Sequence, residues 1–183
     1  MTVIPTELEG CLIIESKVLL DQRGYFYESF NEKTFFEKTG LNIHFVQDNM
    51  SYSTQGVLRG LHYQTGEFAQ AKLVQVIHGQ VLDVAVDIRP ESETYGEYTS
   101  VLLTSENKRQ MFIPRGFAHG FLVLSETALF SYKCDNFYNK ESEGQISYQD
   151  PSIAIDWGFD KEQLIISDKD QEAPSLEKAK KVW

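Results

Sequence analysis

The sequence predicts an all-β protein, a sandwich or a barrel made of many short strands. Segments in which apolar and polar residues alternate follow one another from residue 45 to residue 134, separated by turn-forming residues. The clearest alternation runs from Val81 to Ile88, where Leu82, Val84, Val86 and Ile88 share one face and Val81, Asp83, Ala85 and Asp87 share the other. Only one convincing helix precedes the C-terminal end, which argues against a parallel α/β sheet.

The composition favours one domain over residues 1–183, because hydrophobic residues make up 42% of the chain and aromatic residues 13%. No apolar run approaches the roughly 18 residues of a membrane-spanning helix, and no secretory signal is visible. Cys11 and Cys134 are the only cysteines, which is typical of a cytoplasmic protein without a disulfide framework.

The net charge of −10 argues against nucleic acid as a partner, because nucleic-acid binders need a basic surface. A small anionic substrate held by a few local cations is compatible with this charge. The net negative charge itself is explained by an acidic surface that keeps the protein in solution.

The N-terminal part predicts short strands and one helix. Residues 10–15, 17–20 and 25–30 read as strands, and Asp21 to Gly24 reads as a turn. Asn31 is placed to cap a helix that runs through Thr39, with Gly40 as its left-handed stop.

The following part of the chain predicts eight more strands, and its end predicts a short helix. The strands span residues 45–53, 56–64, 71–77, 81–88, 98–103, 110–113, 121–124 and 128–134, and the helix spans residues 175–183. No internal repeat or flexible linker interrupts this series.

The segment Gly56 to Gln64 places Arg59 and His62 in an otherwise apolar strand. Burying an unpartnered polar group costs on the order of 2–7 kcal/mol, so these side chains need either a structural network or a ligand cavity. Strict alternation puts them on opposite faces. Gly60 permits a bulge that would turn both into one cavity.

His62 is a candidate general base, because a neutral imidazole titrates near working pH. Such a base needs an orienting carboxylate. Asp83, Asp87, Asp168 and Asp170 are all candidates, and their spacing does not choose among them.

Lys72 and Tyr132 are candidates for the other proton-transfer roles. Lys72 shares an apolar strand face with Val74 and Val76, where it could stabilise an oxyanion or, alternatively, extend its ammonium to solvent. Tyr132 could be a general acid, or a core tyrosine whose hydroxyl is satisfied.

The segment Pro114 to Phe121 leads a Pro-x-Gly turn into a strand that carries His119, which resembles the second motif of cupin barrels. The first motif of metal cupins contains His-x-His, and here it reads His62-Tyr63-Gln64. Two imidazoles without further ligands make a poor divalent site, so no metal site is predicted.

An ordered set of motifs resembles the dTDP-4-dehydrorhamnose 3,5-epimerase family from about Gly10 to Pro174. The set comprises Phe45 to Ser53, Val57 to Gln64, Lys72 to Val74, Asp83 to Arg89, Ile113 to Phe121 and Ser167 to Asp170. This resemblance implies a cupin-type double-stranded β-helix with a few short peripheral helices, a homodimer, and no metal or organic cofactor.

The resemblance also implies the reaction, which is epimerisation of dTDP-4-dehydro-6-deoxy-D-glucose at C3 and C5 in dTDP-L-rhamnose biosynthesis. By motif, His62 would remove the protons, Asp170 would orient it, and Tyr132 would return protons from the opposite face. Lys72 would steady the enolate oxygen at C4. The positions that would line the nucleotide-sugar site are Arg23, Phe26, Glu28, Gln47, Asn49, Arg59, His119, Tyr138, Glu143 and Lys169.

Among these residues, Arg23 and Arg59 suit the pyrophosphate, because a guanidinium can grip it with two parallel hydrogen bonds. Tyr138 would stack on thymine, although Asn139-Lys140 and Gly158 stand where the family often carries a proline. The alternatives are a monoepimerase or 3,4-ketoisomerase for a related dTDP-sugar, a non-catalytic cupin that binds a sugar nucleotide, and a metal cupin oxygenase or isomerase.

Overall fold

A computed structural model describes residues 1–183 and contains thirteen strands and two α-helices. The N-terminal half comprises β1 (Thr2–Pro5), β2 (Leu12–Glu15), β3 (Val18–Asp21), β4 (Gly24–Tyr27), α1 (Glu32–Thr39), β5 (Gln47–Thr54), β6 (Leu58–Gln64), β7 (Lys72–His78) and β8 (Gln80–Asp87). The C-terminal half comprises β9 (Tyr98–Thr104), β10 (Arg109–Ile113), β11 (Phe117–Val123), β12 (Thr127–Cys134), β13 (Glu143–Gln145) and α2 (Asp168–Gln171).

Two antiparallel sheets face each other. One has six strands in the order β1-β2-β10-β7-β12-β5, and the other has five in the order β13-β6-β11-β8-β9. Neighbouring strands often lie far apart in the sequence, as β2 and β10 do, which is typical of a jelly roll. The all-β prediction is confirmed, and each strand predicted between residues 45 and 134 has a counterpart whose ends shift by a few residues.

Strand β8 is confirmed, and it is buried on both faces. Val81 and Ala85 belong to the cluster between the sheets, together with Phe117 and Phe130. Val84, on the opposite face, packs under residues of the C-terminal segment in a second cluster. Because both faces of this strand are covered, its polar side chains can find partners only inside the protein.

The predicted helix is confirmed as α1. The side chain of Asn31 accepts a hydrogen bond from the Thr34 amide at 3.0 Å, and Gly40 ends the helix at φ 73°. Phe35 is buried over Leu73 on the outer face of the six-stranded sheet.

The predicted terminal helix over residues 175–183 is wrong. A single 3₁₀ turn spans Leu176–Lys178, Ala179 leaves it with an extended backbone, and no helix or strand follows. The Tyr63 hydroxyl donates to the Lys180 carbonyl at 2.5 Å, and the Gly66 amide donates to the Val182 carbonyl at 2.7 Å. The carbonyls of Lys180 and Val182 therefore bond to residues of other segments instead of to a continuing helix.

One other expectation needs correction. The strand expected over residues 25–30 ends at Tyr27, because Ser29 and Phe30 already lead into α1. Helix α2 was not predicted. No helix in the structure is both long and apolar enough to cross a membrane.

Candidate active site

A cleft of about 680 Å³ opens between the two sheets. Strands β5, β7 and β12 of the six-stranded sheet supply residues to it, as do β6 and β11 of the five-stranded sheet. Most of the predicted site residues line this cleft, namely Gln47, Asn49, Arg59, His62, Lys72, His119, Tyr132, Tyr138, Glu143, Lys169 and Asp170.

His62 pairs with Asp170, across 2.6 Å between Nε2 and Oδ1. Asp170 lies in α2, and Ser167 positions this short helix by accepting a hydrogen bond from the Asp170 amide at 3.2 Å. The second carboxylate oxygen accepts from the Gly60 amide at 3.4 Å. Both carboxylate oxygens of Asp170 therefore have partners.

The protonation of Asp170 follows from these contacts. Burial disfavours its charged form, but the hydrogen bond and the attraction from His62, with help from the Gly60 amide, outweigh burial and hold the pKa of Asp170 below its usual range. Asp170 is therefore a carboxylate at neutral pH, as an orienting group for an imidazole must be.

Gly60 makes the predicted bulge, and that hypothesis is confirmed. His119 pairs with His62 and Phe121 pairs with Arg59, so the register between β6 and β11 shifts by one residue. Gly60 has φ +136°, and a Cβ there would lie 2.5 Å from the Gly120 Cα. The extra residue turns both Arg59 and His62 into the cleft.

Lys72 and Tyr132 approach from the other sheet. The Lys72 ammonium lies 5.9 Å from the centre of the Tyr132 ring and donates to the His62 carbonyl at 3.5 Å. Burial lowers the pKa of the Lys72 ammonium, although Cys134 and Asp83 partly oppose this shift. Burial raises the pKa of the Tyr132 hydroxyl, so the phenol keeps its proton at neutral pH.

A second group of polar side chains lies near the start of β5. Gln47 donates to Asn49 at 3.1 Å and accepts from the Tyr138 amide at 3.1 Å. Lys169 and Glu143 form an ion pair at 2.5 Å. The Tyr138 ring is 53% exposed beside them, so its face is available to a planar ligand.

Arg59 is held by Ser53, whose hydroxyl accepts from the guanidinium Nε at 3.2 Å. The two terminal nitrogens make no hydrogen bond within the chain, so they are available to an anion.

Arg23, Phe26 and Glu28 do not line the cleft of this chain. Arg23 lies in the β3–β4 hairpin and pairs with Asp21, and Phe26 is 70% exposed. Glu28 directly follows β4 and accepts from Asn31 at 3.1 Å. The hairpin forms no sheet with the rest of the chain.

His119 has its own carboxylate partner, which the sequence reasoning missed. Its Nε2 lies 2.8 Å from Asp83 Oδ1, and both side chains are buried. The β8 alternation placed Asp83 on the same face as Val81 and Ala85, and this was the available signal. Asp83 was one of the four candidates for orienting His62, and the structure gives that position to Asp170 instead.

Ser51 and Gln70 also line the cleft and were not predicted. Ser51 alternates with Asn49 along β5, which could have indicated it, whereas no signal marks Gln70 in its loop. No group of three or more His, Cys, Asp or Glu side chains is arranged to hold a metal ion.

Comparisons with known proteins agree over nearly the whole chain. The profile of a family described as dTDP-4-dehydrorhamnose 3,5-epimerase matches residues 5–178. The dTDP-4-dehydrorhamnose 3,5-epimerase of Escherichia coli is 53% identical over 177 residues, which cover 97% of this chain and 95% of that protein.

Solved structures give the same result. The dTDP-4-dehydrorhamnose 3,5-epimerase of Elizabethkingia anophelis is similar at a TM-score of 0.94 and 59% identity, over 97% of each chain. The dTDP-6-deoxy-D-glucose-3,5-epimerase of Legionella pneumophila, solved in complex with dTDP-4-keto-L-rhamnose, gives 0.93 and 51%, over 97% of this chain and 93% of that one. These similarities confirm the cupin-type fold. The chain belongs to the dTDP-4-dehydrorhamnose 3,5-epimerase family.

Proposed function

We propose that this protein converts dTDP-4-dehydro-6-deoxy-D-glucose into dTDP-4-dehydro-L-rhamnose by inverting C3 and C5 without a metal or organic cofactor. The observation that carries this proposal is that His62, on one sheet and paired with Asp170, faces Tyr132 and Lys72 on the other sheet. Both protons to be removed are α to the C4 ketone, so each removal produces an enolate. Such a reaction needs a base, an oxyanion stabiliser and an acid on the opposite face.

His62 acts as the base. Its Nε2–H donates to the Asp170 carboxylate at 2.6 Å, which leaves the lone pair of Nδ1 to take the proton. The low pKa of Asp170 means that the carboxylate stabilises the imidazolium that forms.

Lys72 stabilises the enolate oxygen. Its side chain is partly buried at the floor of the cleft, where a fixed cation interacts more strongly with a developing charge than it would in water. The ammonium needs no rearrangement when the charge develops.

Tyr132 returns the proton. It belongs to the sheet opposite His62, and its raised pKa keeps the hydroxyl protonated until an enolate carbon takes the proton. Inversion results because removal and return occur on opposite faces of the sugar ring.

The nucleotide end of the substrate fits the polar group near the start of β5. The Tyr138 ring offers a stacking surface for thymine, and Gln47 and Asn49 offer amide groups to its edge. Arg59 has two free guanidinium nitrogens for the pyrophosphate. The Legionella relative, which carries dTDP-4-keto-L-rhamnose, supports this class of ligand.

The active form is a homodimer in the cytoplasm. Leu20 and Phe26 in the β3–β4 hairpin are 81% and 70% exposed, and Met50 and Tyr52 on edge strand β5 are 64% and 63% exposed. Four large apolar side chains exposed on a hairpin and an edge strand are typical of a surface that another protein chain covers. A second copy would bury them and bring Arg23, Phe26 and Glu28 to the cleft. The two free, buried cysteines suit a reducing compartment.

The reaction is tested by proton NMR with dTDP-4-keto-6-deoxy-D-glucose in deuterated water, with and without a chelator. Deuterium should enter both C3 and C5 at rates that the chelator does not change. Exchange at one carbon would make the protein a monoepimerase. Loss of exchange with chelator would reveal a metal, and no exchange at all would refute the reaction for this sugar.

The dimer is tested by co-expressing Arg23→Ala and His62→Asn chains. If Arg23 completes the partner's cleft, each mixed dimer contains one intact site, and the mixture recovers roughly a quarter of wild-type activity. If Arg23 acts within its own chain, no intact site forms and the mixture stays inactive. Light scattering of the wild type gives the oligomeric state directly.

A further inference from the structure

The buried pair of His119 and Asp83 is not used by the proton-transfer mechanism. His119 lies in β11 beside His62, and Asp83 lies in the neighbouring strand β8. Asp83 is fully buried and does not line the cleft, whereas His119 does. Any effect of Asp83 on the substrate therefore passes through His119.

The two oxygens of Asp83 differ. Oδ1 lies 2.8 Å from His119 Nε2, and Oδ2 is buried without a hydrogen-bond partner. Lys72 is the nearby cation, but its ammonium donates to the His62 carbonyl and not to Asp83. A carboxylate with one wholly unpaired oxygen is among the most unfavourable groups to bury, whereas a neutral carboxylic acid costs much less.

The ring of His119 is fixed in position. It stacks on Phe130 with ring centres 6.0 Å apart and planes 21° apart, and it lies 6.5 Å from the Phe121 ring. With Nε2 committed to Asp83, Nδ1 is the only ring nitrogen left for a ligand. Nδ1 makes no hydrogen bond within the chain.

We infer that Asp83 is a positioning residue that, by sharing a second proton with His119, keeps Nδ1 of His119 protonated and directed to an acceptor oxygen of the bound sugar. If the shared proton lies on Asp83, His119 is neutral and its own proton is on Nδ1. If the shared proton lies on His119, both ring nitrogens carry protons. In either form, Nδ1 is a donor.

Burial supports the first of these two forms. It raises the pKa of the Asp83 carboxyl, against the attraction of His119 and Lys72. It also lowers the pKa of His119, against the attraction of Asp83. The only arrangement that removes the Nδ1 proton leaves Asp83 ionised beside a neutral imidazole, and at this fully buried site only the ammonium of Lys72, which makes no hydrogen bond to Asp83, offsets the charge.

This inference rests on the proposed function for the identity of the ligand, but its first test does not. Nitrogen NMR of the ¹⁵N-histidine-labelled wild type reports whether each ring nitrogen carries a proton, and His119→Gln assigns the signal. Nδ1 of His119 should be protonated from pH 6 to pH 8.5 in the ligand-free protein. A bare Nδ1 over this range would overturn the inference, whatever the enzyme's activity.

Two variants test the effect on turnover. Asp83→Ala leaves Nε2 unpartnered and should lower kcat/KM on the order of 10–100-fold, as is common when the partner of an active-site histidine is removed. Asp83→Asn should restore activity to within about threefold of wild type, because its amide N–H can donate to Nε2 and keep the proton on Nδ1. Full activity in Asp83→Ala, or no recovery in Asp83→Asn with a native circular dichroism spectrum, would contradict the role. Deuterium exchange by the wild type separately tests the proposed function.

Discussion

Two histidine–carboxylate pairs lie side by side in this protein, and the fold gives them different properties. The distances are similar, 2.6 Å for His62–Asp170 and 2.8 Å for His119–Asp83. The side chains of the first pair are 34% and 5% exposed, and those of the second are 7% and 0% exposed. The pKa of Asp170 is lowered and the pKa of Asp83 is raised.

The difference comes from the surroundings of each carboxylate. In Asp170, the second oxygen accepts from the Gly60 amide, and the helix cap at Ser167 holds the group in place. In Asp83, the second oxygen has no partner. The same two functional groups thus give an ionised carboxylate that orients a base in one case and a buried pair that shares a second proton in the other. Hydrogen bonding and solvation, not residue identity, decide the role.

The largest expected effect comes from exchanging the two histidines for asparagine one at a time. His62→Asn should lower turnover about 10²–10⁴-fold and abolish deuterium exchange at C3 and C5, because the base is lost. His119→Asn should keep measurable exchange, since the base remains. The matched control is His44→Asn, which changes an exposed histidine outside the cleft. Equal loss of exchange in both cleft variants would remove the distinction between the pairs.

The next largest effect is expected at Tyr132, the acid that works with the His62–Asp170 pair. Tyr132→Phe should lower epimerisation by about 10²-fold while proton exchange from the His62 face continues, because His62 can protonate the enolate again from the face that it deprotonated. The imidazolium exchanges its proton with solvent before it returns one, so NMR in deuterated water then shows deuterium incorporated with retained configuration. Loss of exchange and inversion to the same extent would show that Tyr132 is needed before the donation step.

A smaller effect is expected from Asp170→Asn, about 10–100-fold in kcat/KM, because His62 keeps its place in the strand but loses its carboxylate. The pH profile of kcat/KM should also shift, since no anion then stabilises the imidazolium. Binding of dTDP, measured by calorimetry, should stay near wild type. Weakened dTDP binding would mean that Asp170 supports the nucleotide site instead.

The smallest effect is on stability, and its sign differs between the pairs. A lowered pKa makes Asp170 stabilising above its unfolded value of 3.8, and this contribution is lost as the pH falls through the folded pKa. A raised pKa makes Asp83 progressively destabilising as the pH rises above 3.8. Relative to wild type, Asp170→Asn should therefore lose melting temperature as the pH rises, and Asp83→Asn should gain it.

These changes should amount to about 2–4 °C, which corresponds to about 1 kcal/mol in a domain of this size. Melting curves of both variants and the wild type between pH 3 and pH 8 measure them. Parallel curves for the two variants would contradict the assigned protonation states.

The strands of this protein could be predicted from its sequence because apolar and polar residues alternate along β8 and its neighbours. The two sheets keep the corresponding alternation of side-chain directions. The ends of α1 could also be predicted, because Asn31 and Gly40 are residue types that cap helices locally. Helix α2 spans only four residues, too few to show a helical period, although Ser167 could have indicated its cap. The end of the chain resembled a helix because Leu176, Ala179 and Val182 repeat every third residue, but these residues pack on the second core cluster instead.

The site was less predictable than the fold. Spacing left four carboxylates open for His62, because the choice depends on which strands and turns come together in space. The family resemblance selected Asp170, and the structure places it 2.6 Å from His62. The Asp83–His119 pair needs the register between β8 and β11, which no local pattern in the sequence gives.

The bulge at Gly60 sets the distance between two side chains of β6 that both face the substrate cleft. Arg59 and His62 are three residues apart on one strand, a span of at most about 10 Å, and both point into the same cleft. A ligand gripped by the guanidinium must present its acidic carbons within that fixed reach of the imidazole. The enzyme can therefore discriminate sugar nucleotides by the length between phosphate and ketone, even where their functional groups are identical.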